Sequence, residues 1–171
     1  MRELKRTTVD DAAIHELRWS RFADQILRIE ARSFPLSLRD SRSDLKRLIE
    51  SPTSIGLGVS SGDSEILLGY IAGDLLESFR AVPGVASDPH FGKRDTLYIE
   101  SLAVDSPARH QGVGIALTRA FLNSAKKNGF TRVTAHVETG SLQKTPFSHR
   151  VHKTFDNWYG TGRRFDYVEF L

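Results

Sequence analysis

The chain of 171 residues carries 24 Lys and Arg against 21 Asp and Glu, a formal net charge of +3, with 39% hydrophobic and 26% charged residues. That is the balance of one ordinary globular domain, residues 1–171, long enough to bury its own core. It contains no cysteine, which excludes a disulfide framework, a thiolate zinc site, an iron–sulfur cluster and a cysteine nucleophile, and makes a reducing cytoplasm the expected location.

The first residues, Met1 to Arg6 followed by Asp10 and Asp11, hold no apolar h-region, and the chain has no uncharged run long enough to span a bilayer; neither a secretion signal nor a membrane span is expected. Residues 14–19 read as a first strand. Ser20 is placed to cap a helix whose Phe22, Ile26, Ile29 and Phe34 recur at helical spacing until Pro35 ends it. Ser37 with Asp40 has the spacing of a capping box, and Leu38, Leu45, Leu48 and Ile49 give a second helix its apolar stripe before Pro52. Residues 54–60 and 65–76 read as two strands joined by Ser61-Gly62-Asp63-Ser64, a hairpin signal. Residues 80–95 contain Pro83, Gly84, Pro89 and Gly92 without any period, the pattern of a long, weakly packed loop.

Residues 96–104 are rich in β-formers and read as a buried strand. Residues 112–128 follow as a helix, with Val113, Leu117, Ala120, Phe121 and Ser124 on one face and Gly129 as its stop. Residues 131–138 alternate as a strand, so strand, helix and strand make a parallel βαβ unit. With hairpin strands before it, the sheet is expected to be mixed, with helices on both faces. From Ser141 the tail reads as a short helix and then a strand at 164–170. No repeat or linker divides the chain.

Charge is concentrated in this unit. Between residues 105 and 132, Arg109, Arg119, Lys126, Lys127 and Arg132 oppose Asp105 alone, a local excess that suits a small polyanion better than a nucleic-acid surface. Between the strand and the helix lies Arg109-His110-Gln111-Gly112-Val113-Gly114-Ile115-Ala116. Glycines at 112 and 114 let the backbone curl around a ligand, and the unbonded first-turn amides of the helix make an anion site for phosphate or pyrophosphate. A Walker loop would need Gly-Lys-Ser/Thr, and a dinucleotide fingerprint a third glycine where Leu117 stands.

Arg-x-x-Gly-x-Gly opening a helix after Glu-Ser-Leu-Ala-Val-Asp resembles the GNAT superfamily of N-acetyltransferases. The resemblance is specific over residues 97–137 and extends by order of elements over 14–76; Ile29-Glu30 with Ser33-Phe34-Pro35 is similar to the first-helix region of bacterial ribosomal-protein N-terminal acetyltransferases. It implies a GNAT-like, mostly antiparallel central sheet around the parallel unit, with acetyl-CoA as cosubstrate. It also implies that the amides of Gln111, Gly112, Val113, Gly114, Ile115 and Ala116 bind the pyrophosphate, with Arg109 opening the loop and His110 within reach of phosphate. Leu102, Ala103 and Val104 would pair their backbone with the pantetheine arm, and N–H groups near Leu102 and Ala103 would polarise the thioester carbonyl. Many members carry Asn-x-x-Ala, then Tyr and Gly-Phe, after the unit's second strand; here residues 155–164 read Phe-Asp-Asn-Trp-Tyr-Gly-Thr-Gly-Arg-Arg. Tyr159 is therefore the first candidate for the acid that protonates the leaving thiolate, with Tyr98 and Tyr167 behind it.

Glu100 sits within an apolar strand, where a carboxylate is paired or employed. A glutamate at this place is similar to the proposed base of spermidine/spermine acetyltransferases, and burial would raise its pKa towards that task; the alternative is an ion pair with a neighbouring arginine. His136 and Glu138 share one strand face, as channel lining or as half-exposed strand residues. His149 and His152, with no third ligand, read as helix surface, and no metal site is expected. The reading is direct acetyl transfer to a primary amine, since no cysteine can carry the acyl group. A non-catalytic acyl-CoA-binding module and a ribosome- or RNA-associated basic protein are the alternatives, the latter weakened because no aromatic platform interleaves with the arginines. No membrane partner is expected, and a homodimer is left open.

Overall fold

The computed structural model describes residues 14–62 and 65–171. Asp63 and Ser64 of the expected hairpin turn, and the opening residues read for a secretion signal, lie outside the described residues. In chain order the elements are β1 (Ile14–Glu16), α1 (Trp19–Ser33), α2 (Arg42–Glu50), β2 (Ile55–Ser60), β3 (Leu67–Leu75), β4 (Thr96–Val104), α3 (Val113–Lys127), β5 (Arg132–Glu138), β6 (His149–Phe155) and β7 (Phe165–Phe170). The strands make one seven-stranded sheet in the order β1-β2-β3-β4-β5-β7-β6. Only β4 and β5 run parallel, joined through α3 as expected.

Each face of this sheet is covered because each helix carries one apolar stripe. On one side Phe22, Ile26 and Ile29 of α1 and Leu45 and Leu48 of α2 pack with Leu67, Tyr70 and Ala103. On the other, Val113, Leu117, Phe121 and Ala125 of α3 pack with Ile71, Leu97, Ile99 and Val133. Leu117 and Phe121 are fully buried, and each contributes about 1.5–3 kcal/mol by leaving water. The helix face differs slightly from the predicted one: Ala116, Thr118 and Ala125 are buried where Ala120 and Ser124 were expected.

Several boundaries differ. Strand β1 stops at Glu16, and α1 starts at Trp19 with Arg18 before it and no side-chain cap, so Ser20 falls inside the helix. Residues Leu36–Leu38 form a short 3-10 turn instead of the start of α2. The cap is Ser41, whose Oγ accepts from the Asp44 amide at 3.1 Å and donates to Asp44 Oδ2 at 2.7 Å. The same Ser-x-x-Asp spacing recurs four residues after Ser37, and the later copy wins because α2 can then bury Leu45, Leu48 and Ile49. Asp40 is left outside the helix.

The tail holds a 3-10 turn at Ser141–Lys144 and then a strand, β6, that the sequence reading missed. It is an edge strand exposed on both faces, so its sequence shows no alternation. His149 and His152 therefore lie on a strand and not on a helix surface. Residues 80–95, expected to pack weakly, are tied down. Val85 is fully buried; Glu77 Oε1 accepts from the amides of Gly92 and Arg94 at 2.8 and 2.9 Å; and Asp88 accepts from Arg132 at 3.0 Å and from the Tyr167 hydroxyl at 2.7 Å. Burial alone would raise the Asp88 carboxyl, but the bonds from Arg132, Tyr167 and the His90 amide outweigh it and hold it below its ordinary value.

Candidate active site

Strands β4 and β5 pair from Thr96 with Arg132 to Ile99 with Ala135, and there the parallel ladder stops. On the other edge of β4, Ala72 faces Ser101 while Gly73 faces Ile99, so Glu100 is an extra residue, a β-bulge. The bulge reverses the sidedness of the strand. Leu97 and Ile99 face the α3 core before it, whereas Ser101 and Ala103 face α1 after it, and Val104 returns to the α3 side. Gly73 is required opposite: a Cβ there would lie 2.4 Å from the Tyr98 carbonyl oxygen and 2.8 Å from the Phe121 ring. Beyond Ile99 the β5-facing edge of β4 has no strand partner among the described residues, an opening into which an extended ligand arm can add as a strand along Leu102, Ala103 and Val104.

The loop after β4 is built to aim amides outward. Asp105 caps the 3-10 turn Ser106–Ala108 through the Ser106 amide at 3.0 Å, and Arg28 and Arg32 of α1 approach its carboxylate. Arg109 turns back, its Nε donating to the Val104 carbonyl at 3.0 Å and its guanidinium reaching Arg32 O and Ser33 Oγ, each at 3.4 Å. It anchors the loop to β4 and to the end of α1. His110 and Gly112 then take left-handed backbone, φ 61° and 82°, and Val113 starts α3. No side chain caps this helix and no acid stands in its first turn, so its positive end faces open space. A Cβ on Gly112 would meet nothing within 4 Å, and one on Gly114 only Val104 Cγ2 at 3.8 Å. The two glycines are spared by packing and leave room for an approaching group, and the cradle fits the pyrophosphate that the sequence implied.

A cavity of about 630 Å³ lies beside the opening, lined by Glu30, Asp40, Tyr98, Glu100, Leu102, His136, Trp158 and Tyr159. A larger depression of about 750 Å³ near Glu16–Ser20 and Asn128 touches neither the bulge nor the glycine loop. Within the first cavity Glu100 has no arginine or lysine partner among the described residues, so the expected alternative of an ion pair is not what the fold provides. Its neighbour is Asp40. Burial and the Asp40 carboxyl, with Glu30 and Asp44 behind it, push Glu100 up to about 9, and burial with the Glu30 charge raises Asp40 to about 6. Near neutral pH the two carboxyls together hold one proton.

Glu30 itself is 2% exposed. Its Oε2 accepts from the Tyr70 hydroxyl and from Ser101 Oγ at 3.2 Å, and its Oε1 from the Asp40 amide at 3.1 Å.

Tyr159 lines the same cavity from the β6–β7 connection, half-exposed and with φ 46°. Burial and the charges of Glu100 and Asp40 raise its hydroxyl. Tyr167 is directed elsewhere, donating to Asp88. The Tyr98 hydroxyl lies 2.9 Å from His136 Nδ1, and the imidazole is stacked between Trp158 and Tyr167 at 4.4 and 4.8 Å. Burial lowers His136 to about 4, so it is neutral at pH 7. Glu138 lines the rim with Arg163 3.8 Å away. The fold thus brings Glu100, Tyr159, His136 and Glu138 to one cavity. Asp40 and Glu30 were missed as site residues, because only the bulge at Glu100 and the burial of Glu30 bring the three carboxyls to one cavity.

A profile of the "Acetyltransferase (GNAT) family" matches residues 23–152. The chain belongs to the GNAT acetyltransferase family. The strand, glycine loop and helix of residues 97–137 stand in the order that the resemblance implied, and the fold agrees with solved structures. The ribosomal-protein-S18-alanine N-acetyltransferase from Escherichia coli superposes with a TM-score of 0.69 at 15% identity, covering 92% of this chain and 91% of that one. NAA60 of Arabidopsis thaliana, solved with acetyl-CoA, gives 0.68 at 16% identity over 92% and 97%, and the GphF GNAT-like decarboxylase, solved with isobutyryl-CoA, gives 0.66 at 18% over 92% and 97%. No curated protein sequence matches the chain. As a GNAT protein the chain is an acyltransferase by family, with acetyl-CoA as its cosubstrate. No helix among the described residues is long and apolar enough to cross a membrane, and they hold no cluster of metal-ligating side chains.

Proposed function

We propose that this GNAT domain transfers an acetyl group from acetyl-CoA to a primary amine, on a small molecule or at a peptide N-terminus, by direct attack with both substrates bound. One observation carries the reading: the sheet opens at the residue, Glu100, whose bulge turns a carboxyl into the cavity beside that opening. Acetyl-CoA supplies an activated thioester. The amides of Gln111 to Ala116 hold its pyrophosphate, the backbone of Leu102, Ala103 and Val104 holds its pantetheine arm, and an N–H near Leu102 or Ala103 donates to the thioester carbonyl oxygen. An amine of pKa near 10 arrives mostly as ammonium. Its positive charge beside Glu100 and Asp40 favours ionisation of the pair, so Glu100 gives its proton to water and takes one from the ammonium. The freed lone pair of the amine attacks the thioester carbonyl carbon, and the second proton leaves the nitrogen to water as the C–N bond is completed. The C–S bond breaks, and Tyr159 returns a proton to the departing sulfur. The cysteine-free composition is compatible with a cytoplasmic setting.

A second reading places the base at His136, which is neutral, half-buried and 2.9 Å from the Tyr98 hydroxyl. The test is coenzyme A release with polyamines, amino acids, aminoglycosides and peptides bearing free N-termini. Glu100→Gln should lower turnover about 10²-fold or more near neutral pH, the scale of a lost general base. Full turnover in that variant together with loss in His136→Asn places the base at His136. Binding of coenzyme A without turnover of any amine makes the domain a regulatory module.

A further inference from the structure

Glu30 is the most buried carboxylate of the cavity and takes no part in the proton transfers proposed above. It lies on α1, yet its oxygens reach three other segments: Tyr70 on β3, Ser101 on β4 and the backbone of Asp40 in the α1–α2 connection. Every one of these bonds is accepted by Glu30, the bonding of an ionised carboxylate. Two of the three partners are next to the chemistry. Ser101 immediately follows the bulged Glu100, and Asp40 is the carboxyl that faces it. No Lys or Arg is paired with Glu30 among the described residues, so its charge is balanced only by hydrogen bonds and acts on whatever stands beside it in a site poorly screened by water.

We infer that Glu30 is a positioning residue for Glu100, fixing the bulge through Ser101 and the acceptor-side loop through the Asp40 amide. The inference rests on the proposed acetyl transfer only for its kinetic consequence. The groups around Glu100 are Asp40 and Asp44 from the α1–α2 connection and α2, Glu30 from α1, Tyr98 on its own strand and Tyr159 from the β6–β7 connection. Arg39, His136, Glu138 and Arg163 also line the cavity, and no ion pair joins Arg39 or Arg163 to Glu100 or Glu30. Of the close groups all are acids or phenols. Removing the Glu30 charge therefore removes a repulsion that nothing else offsets, and Glu100 should ionise more easily.

The experiment is a carbon-13 NMR titration of the Glu side-chain carboxyls between pH 5 and 10 in the ligand-free protein, for wild type and Glu30→Gln. Gln keeps the shape and can still accept from the Asp40 amide. The Glu100 midpoint should fall by about one pH unit in the variant, a shift of the size one close charge produces. The rising limb of turnover against pH, measured with one amine for both proteins, should move the same way. A folded Glu30→Gln protein with an unmoved Glu100 midpoint overturns the inference and leaves Glu30 a structural residue, which would lower the melting temperature alone. Should that variant not fold, Ser101→Ala decides, because it cuts the tie between Glu30 and the bulge: the Glu100 midpoint should move in it, and an unmoved midpoint in the folded Ser101→Ala protein refutes the idea. Full activity in Glu100→Gln would instead defeat the proposed base while leaving the effect of Glu30 on the Glu100 titration intact.

Discussion

Replacing Glu100 by Gln should make the folded protein more stable, and the advantage should grow with pH. Folding carries the Glu100 carboxyl from its ordinary 4.5 to about 9. Below about pH 4.5 the folded and unfolded chains are both protonated at this residue, and the stability it permits is fully present. Between about 4.5 and 9 the folded state holds a proton that the unfolded chain has lost, so stability falls as pH rises, by at most about 1.4 kcal/mol per pH unit. Asp40 adds to the fall between its ordinary 3.8 and about 6. In Glu100→Gln the first contribution vanishes, and the new amide can donate to the Asp40 carboxylate. For a chain of this length 1 kcal/mol moves Tm by about 2–4 °C. Wild type and variant should therefore nearly coincide at pH 5 and diverge by roughly 3 °C for each unit above it. Thermal unfolding followed by circular dichroism at each pH from 5 to 9, without ligand, measures the gap. A variant that is less stable than wild type at pH 8, or whose curve runs parallel to it, would show that a cation holds Glu100 ionised and that the carboxyl pair does not exist.

Gly114→Ala should separate packing from binding: the added Cβ makes only an ordinary contact with Val104 in a helical turn, so Tm should hold or rise by a degree or two, while coenzyme A affinity measured by calorimetry drops about tenfold or more; unchanged affinity would remove the pyrophosphate from this loop. Arg132→Gln strands Asp88, whose side chain is 2% exposed against 9% for Arg132, and should cost about 3–5 kcal/mol in urea unfolding; a loss under 1 kcal/mol would mean that water already reaches the pair. Residues 80–95 should exchange amide hydrogens slowly at Val85, Asp88, Gly92 and Arg94, whose N–H groups are bonded within the loop or to Glu77. Exchange there as fast as at an exposed turn would contradict the anchoring.

Reading the sequence succeeds where one residue pattern has one physical use. Val113, Leu117 and Phe121 can only be a buried helix stripe, and they stand in the structure as read; the glycines at 112 and 114 stand at the start of that helix with open space around them. It fails where the deciding partner is distant in sequence. The prolines and glycines of residues 80–95 look like slack until Asp88 meets Arg132, 44 residues away. Ser37 and Ser41 offer equivalent caps locally, and only the burial of the α2 stripe selects the second. Strand β6 exposes both faces at a sheet edge and so lacks the alternation by which strands are recognised. Within the site, Glu100 could be singled out from its apolar strand, but Asp40 and Glu30 acquire their meaning from a bulge, and a bulge leaves no trace in composition.

The supernumerary residue in β4 also separates two kinds of genetic change. A substitution at position 100 alters what the cavity can do and leaves every other side chain on its own side of the sheet. A one-residue deletion there would join Ile99 directly to Ser101, which already face the consecutive residues Gly73 and Ala72, so the plain ladder that results keeps Ser101 and Ala103 toward α1 and Val104 toward α3. Both layers would stay filled by the side chains they hold now, and what is lost is the carboxyl together with the bulge that carries it. A substitution therefore tests the carboxyl alone, whereas the deletion also tests the bulge that aims it, and the facing of the two cores is the same in both.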